Sequence, residues 1–253
     1  MDIFSFTSDG KVIEGTGAVF PICEDQSDGT VKYHGTGFFI SNNGIFITAK
    51  HVLEDTSSPF IIHMRPNNEY YRRQIIRADL THRGDLAVGI VEELKDSAGN
   101  ILINDRLQLS SHIPKPTEAI STFAYPESTM SFHEVEGETR NAFNIIPRQY
   151  SGVVVKVETG GIKRITPSPA VICTIDSLPG NSGGPVFSVD GKGGVIGINT
   201  FGMQGVYHVV SLIDEVRALK IDGIILPGLD KPNTLTVDQL ISIGAVSFVR
   251  LDN

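Results

Sequence analysis

Apolar and polar residues alternate along this chain in short runs, each cut off by Gly, Pro, Asn or Asp, and this texture predicts strands rather than helices. In the first half the runs are GTGAVFPIC, GTGFFIS, GIFITA, PFIIHM, RRQIIRA, LAVGIV and RLQLS. In the second they are AISTFAY, HEVEGETR, SGVVVKVE, AVICTI, GPVFSV, GVIGINTF and GVYHVVSL. Their spacing is that of a sandwich or barrel. Between the halves stands SSHIPKPTEAI, where Pro114 and Pro116 lack the backbone donors that a continuous strand needs. The pattern predicts two similar all-β halves, residues 1–112 and 113–220, and a C-terminal extension over 221–253.

Helical spacing stands out in SLIDEVRALK, where Leu212, Ile213, Val216 and Leu219 fall on one face and Ser211 precedes them as an N-cap. A terminal amphipathic helix is expected there. The extension is too short for a core of its own, so it is expected to pack back on the domain. Within it, Thr236 and Gln239 have the spacing of a capping box.

Composition narrows the classes of function. At 253 residues, with 40% hydrophobic and 20% charged residues, the chain can bury a substantial core. A formal charge of −8 argues against a nucleic-acid partner, which would require a positive field. The basic stretch from His63 to Arg83, with Arg65, Arg72, Arg73, Arg77 and Arg83, is read as solvated strand faces and hairpin ends. Cys23 and Cys173 make no disulfide framework and no metal-ligand spacing. The opening MDIFSFTSDG has neither basic leader nor apolar core, and no run is long enough to span a membrane. A cytoplasmic protein without a membrane partner is therefore expected. The histidines at 34, 63, 82, 112, 133 and 208 form no metal-binding pattern, so no metal or other cofactor is called for.

Candidate chemistry comes from three segments. Nucleophilic hydrolysis needs a hydroxyl, a base to take its proton, a carboxylate to orient the base, and donors for the developing oxyanion. IDSLPGNSGGPVF supplies Ser182 in a glycine turn, where the amides of Gly180, Asn181 and Ser182 can converge as an oxyanion hole. GIFITAKHVL puts His51 just past a strand, and HRGDLAVGI puts Asp85 at the start of one. Taken singly, His51 is equally well a core histidine, Asp85 a turn carboxylate and Ser182 a turn hydroxyl. Together, in the order His, Asp, Ser, they point to a catalytic triad.

TAKH, GDLAV and GNSGGPV resemble the three catalytic segments of the chymotrypsin-like (trypsin-like) serine peptidases, and HGTGFFISNNGIFITAKHVL resembles their HtrA-type branch, with a likeness to the glutamyl-endopeptidase-like branch as well. The resemblance covers about Val12 to Leu219. It implies two Greek-key antiparallel six-stranded β-barrels with a C-terminal helix, His51 and Asp85 in the first, Ser182 in the second, and a protein or peptide substrate. Asn181 stands where digestive members carry the aspartate that pairs with a new amino terminus, which argues against that activation. Asp176, six positions before Ser182, would be the acidic floor of the primary pocket, with Gly202 and Gly205 leaving room for a long side chain; cleavage after Arg or Lys follows. The alternatives are cleavage after Glu or small aliphatic residues, and a silent peptide-binding scaffold. Thr200 would replace the serine that bonds the catalytic aspartate, and Phe201 would floor the neighbouring subsite. No PDZ module is expected after the peptidase domain.

Overall fold

The computed structural model describes residues 4–6 and 12–250, except 15, 66–68, 127, 136–137, 177, 190–192, 204 and 225–230; at 4–6, 12–16 and 129–144 only the backbone is described. Six strands make the first barrel: β1 (Val19–Asp25), β2 (Val31–Phe39), β3 (Ile45–Thr48), β4 (Phe60–Met64), β5 (Tyr70–Leu80) and β6 (Ala87–Val91). They close in the order β1-β2-β3-β6-β5-β4. The second barrel uses β7 (Ala119–Ala124), β8 (Arg148–Glu158), β9 (Ala170–Cys173), β10 (Pro185–Ser188), β11 (Val195–Met203) and β12 (Tyr207–Leu212). Its order is β7-β8-β9-β12-β11-β10, closed by β10 pairing with both β7 and β11. The two halves therefore share one antiparallel topology, and closure leaves the barrel strands few free edges.

Several strands are buried on both faces, which is why their sequences read as apolar runs rather than alternations. Phe39 points into the first barrel, where Phe20 packs on it at 4.5 Å and Phe46 lies 5.6 Å from Phe20. Its neighbour Phe38 points outward into a second cluster, shared with Val195 and Ile198 of the other barrel and with Ile221, Leu240 and Val246 of the C-terminal extension. Each such side chain contributes about 1.5–3 kcal/mol on burial.

The extension is built into the molecule. Lys220–Ile224 and Asn233–Thr236 pair as antiparallel strands, and Phe248–Val249 lies parallel to Leu109–Ser110 in the connection between the barrels. The capping box closes at Thr236 and Gln239 and starts a short helix, Val237–Ser242. SLIDEVRALK departs from expectation: Ser211 lies inside β12, paired with Ala170 and Ile198, and only a 3-10 helix forms over Ile213–Ala218, with Leu212 at its N-cap. The strand claims Ser211 because sheet pairing on both sides outweighs a local cap. HEVEGETR falls on a hairpin, Thr129–Val135 with Glu138–Asn144, whose turn residues 136–137 lie outside the described residues.

The basic stretch also differs in part from the solvated faces expected of it. Arg73 is 2% exposed. Its guanidinium donates to Glu92 O at 2.7 and 3.1 Å, to Asn104 Oδ1 and to His63 Nδ1, and it lies over the Phe39 ring. Burial, and then the Arg73 charge, push the His63 pKa down to about 3, so the ring stays neutral and can accept. Here β5 turns one arginine inward while Arg72 pairs with exposed Asp25; strand alternation puts the two on opposite faces, and the barrel's register decides which face is inside.

Candidate active site

β3 is buried along its whole length and leads directly into α1 (Lys50–Glu54). Val52 and Leu53 anchor α1 in the barrel and leave His51 partly exposed, with 44% of its side chain accessible. Asp85 lies in the turn between β5 and β6. Thr81 pins that turn: its N–H and hydroxyl donate to Leu86 O at 2.9 and 3.0 Å, and its oxygen accepts from Leu86 N at 3.1 Å.

The Asp85 carboxylate accepts two bonds from His51, from Nδ1–H at 2.7 Å and from the backbone N–H at 3.0 Å. A carboxylate cannot donate, so the proton sits on Nδ1 and leaves Nε2 with its lone pair. The Asp85 hydrogen bond is the main cause of a His51 pKa raised above 6.5; burial opposes it, and the Asp85 and Glu54 charges add to it.

Ser182 occupies a turn with the internal bonds Asn181 N–H to Leu178 O (3.1 Å) and Gly184 N–H to Asn181 O (3.0 Å), tied to β11 by Gly183 N–H to Asn199 O (2.8 Å). Gly183 has φ +83°, and a Cβ there would stand 2.0 Å from Thr36 O and 2.2 Å from Thr48 Oγ1, so no other residue fits. Among the described residues, the N–H groups of Gly180 and Ser182 and the Ser182 hydroxyl carry no hydrogen bond. Of the three amides expected as donors, Asn181 is spent within the turn, leaving Gly180 and Ser182. The Asn181 side chain is buried, with Nδ2 donating to Asp176 O at 3.1 Å.

A cleft of about 630 Å³ joins these groups. The first barrel lines it with His51 and Asp85, the second with Ser182, Thr200, Phe201 and Gly202. The strand pattern did not single out the rest of the wall, Ile165, Thr166, Leu178 and Pro179. Leu178 and Pro179 were in view within IDSLPGNSGGPVF, but nothing local says that they face a cleft.

Three expected pocket roles change. Asp176 is exposed and does not line the cleft, because its segment engages the turn through its carbonyl; it forms no buried acidic floor. Thr200 lines the cleft, but its hydroxyl bonds Val209 O at 3.3 Å and Ser211 Oγ at 3.0 Å within its own barrel, instead of Asp85. Gly205 sits in the exposed turn after β11, φ +73°, and is not among the lining residues. Phe201 is 45% exposed at the cleft with Tyr207 beside it.

Residues 35–198 match the family described as trypsin-like peptidase domain, and the chain belongs to that family. A probable periplasmic serine endoprotease DegP-like of Chlamydia muridarum is 27% identical over 219 residues, 84% of this chain and 35% of the relative. The protein of the same description in Chlamydia trachomatis is 26% identical over 214 residues, with the same shares, 84% and 35%. The chain thus spans about a third of the length of these relatives. Among solved structures, the Rv3671c protease of M. tuberculosis in its active form superposes with TM-score 0.56 at 16% identity, over 92% of this chain and 83% of that one. Deg5 superposes with TM-score 0.57 at 17% identity, over 79% and 86%. These likenesses confirm the two-barrel fold. The relatives are described as periplasmic, which leaves the cytoplasmic expectation without support. Among the described residues no helix is long and apolar enough to cross a membrane.

Proposed function

We propose that the chain is a serine endopeptidase in which Ser182 is the nucleophile, His51 the general base and acid, and Asp85 the carboxylate behind it. The observation that carries this reading is that the His51–Asp85 pair lines one cleft with Ser182, whose hydroxyl, like the amides of Gly180 and Ser182, is unbonded among the described residues. Ser182 Oγ attacks the peptide carbonyl carbon while its proton passes to His51 Nε2. The carbonyl electron pair moves to the oxygen, where the Gly180 and Ser182 amides receive the charge. His51 then gives the proton to the leaving amine, the acyl-enzyme forms, and water, activated by the same imidazole, releases the acid.

The wall formed by Ile165, Leu178, Pro179 and Phe201 supports an apolar side chain at the cleaved residue. Among the described residues, Asp85, engaged by His51, is the sole acid lining the cleft, so none of them there would balance an arginine or lysine. β10 pairs with β11 only as far as Ile198, which leaves the edge of residues 200–203 open to an extended peptide strand. Substrate segments are therefore unfolded or looped.

The test is cleavage of an unbiased peptide library by the wild type and by Ser182→Ala, beside labelling with a fluorophosphonate. Cleavage after aliphatic residues, absent in Ser182→Ala, and label on Ser182 are expected. Unaltered cleavage by the variant would overturn Ser182 as the nucleophile, and an inert wild-type serine without burst kinetics on an activated ester would leave only a peptide-binding scaffold.

A further inference from the structure

We propose that Thr36, on β2 of the first barrel, is a positioning residue that selects the competent orientation of the oxyanion turn on the second barrel. This inference rests on the peptidase reading above. Thr36 is completely buried and reaches the turn with two separate groups. Its N–H donates to Ser182 O at 2.7 Å, and its hydroxyl donates to Gly180 O at 2.7 Å. The same hydroxyl oxygen accepts from Tyr125 N at 3.2 Å, and the Thr36 carbonyl accepts from Thr48 Oγ1 at 2.7 Å. Thr48 ends β3, two residues before α1 and three before His51. One residue therefore ties the nucleophile turn, the strand that leads to the base, and the second barrel to a common point.

Peptide planarity turns these bonds into control of the donors. Gly180 O and Asn181 N–H belong to one rigid unit, held at its oxygen by the Thr36 hydroxyl and at its nitrogen by Leu178 O. Ser182 O belongs to the unit two steps on, held by the Thr36 amide. Between them lies the unit that carries the Ser182 N–H; its own oxygen is occupied by Gly184 N–H. On the other side, the Gly180 N–H is joined to the clamped unit through a single Cα. Gly180 has φ +92°, and with no Cβ it can reach either side of the map at little cost. Local chain preference therefore does not fix the plane of the Gly180–Asn181 unit. The hydroxyl of Thr36 does, because turning that unit would leave both Gly180 O and that buried hydroxyl unbonded, and that plane sets how the next unit, which carries the Ser182 N–H, leaves it.

The bond does not depend on substrate, so the donors are arranged before the transition state forms, where preorganisation counts most. Removing a donor outright costs about 10²–10³ in kcat; releasing one to a mixture of orientations costs less, about 10- to 100-fold.

The experiment compares Thr36→Val, Thr36→Ala and Thr36→Ser with the wild type for kcat, KM, thermal midpoint and affinity for a peptidyl boronate. Fluorophosphonate labelling of the wild type comes first, so that a failure of the peptidase reading shows itself before any variant is judged. Valine keeps the shape and the backbone N–H, and serine keeps the hydroxyl. The expected result is a fall of about 10- to 100-fold in kcat for Val and Ala, KM changed by less than about 3-fold, a parallel loss of boronate affinity, and recovery in Ser. Wild-type kcat in either variant without the hydroxyl overturns the inference, as does equal impairment in Ser. If Val and Ala fail to fold while Ser folds, the hydroxyl serves the fold and the positioning role is likewise overturned.

Discussion

Replacing Asp85 by asparagine tests the electrostatics of the site through a single oxygen. The carboxylate presents two acceptors to His51, one to the backbone N–H at 3.0 Å and one to Nδ1–H at 2.7 Å. Asparagine has one oxygen and one NH₂. The backbone N–H is a permanent donor, so the oxygen is drawn there and the NH₂ is left facing the ring nitrogen. Two donors repel, and the imidazole relieves the clash by moving its proton to Nε2. Nε2 then cannot take the Ser182 proton. The lost charge-assisted bond alone is worth about 1.5–3 kcal/mol. Adding the imidazolium that no longer faces an anion gives a loss on the order of 10³–10⁴ in kcat, about 4–5.5 kcal/mol at 1.36 kcal/mol per tenfold. The side chains of His51 and Asp85 are 44% and 28% exposed, so screening by water favours the lower end, about 10³.

The assay is kcat/KM on a peptide ester from pH 5 to 10, with thermal midpoints to show that the fold survives. In the wild type the acid limb reports His51 shedding its proton, at a pKa raised above 6.5 chiefly by the Asp85 bond. Without that bond the imidazolium is less stable, so in Asp85→Asn the limb moves to lower pH while the plateau falls. Activity within tenfold of the wild type at pH 8, or an acid limb that stays in place, would refute the reasoning.

Two further outcomes follow from the same geometry. Asp176→Asn should leave kcat/KM within about 2-fold on peptides with aliphatic residues at the cleavage site, as expected for an exposed side chain outside the cleft; a large loss would put this residue back in the pocket. Glu118 is pushed up by burial, but bonds from Ser188 Oγ, Lys115 N–H and His112 outweigh this and hold its pKa below 4.5. A depressed carboxylate stabilises the fold above its unfolded pKa and loses that contribution as pH falls through the folded one. Urea midpoints should therefore drop between pH 6 and 3 more steeply in the wild type than in Glu118→Gln, and equal slopes would contradict the assignment.

The sequence by itself carried what depends on neighbours along the chain. Short apolar runs cut by turn residues marked the strands, because a pleated backbone repeats every two residues and a closed barrel buries most of what faces it. The segments around His51, Asp85 and Ser182 were legible because each is a local device: a residue at a strand end, a turn carboxylate, a glycine turn. The capping box at Thr236 is of the same kind, complete within four residues.

Only the tertiary structure decided which side chain meets which. Ser211 read as a helix cap until sheet register claimed it for β12, and Thr200 bonds that serine instead of Asp85 for the same reason. Arg73 and Arg72 are adjacent, yet one lies in the core and the other at the surface. Asp176 had the right spacing, yet its side chain is exposed and outside the cleft lining. Thr36 shows the limit most plainly, since its hydroxyl meets Gly180 across 144 positions of chain. Spacing along the chain records how a strand is patterned, whereas register, barrel closure and the docking of two barrels are set by contacts summed over the whole molecule, and no short stretch contains them.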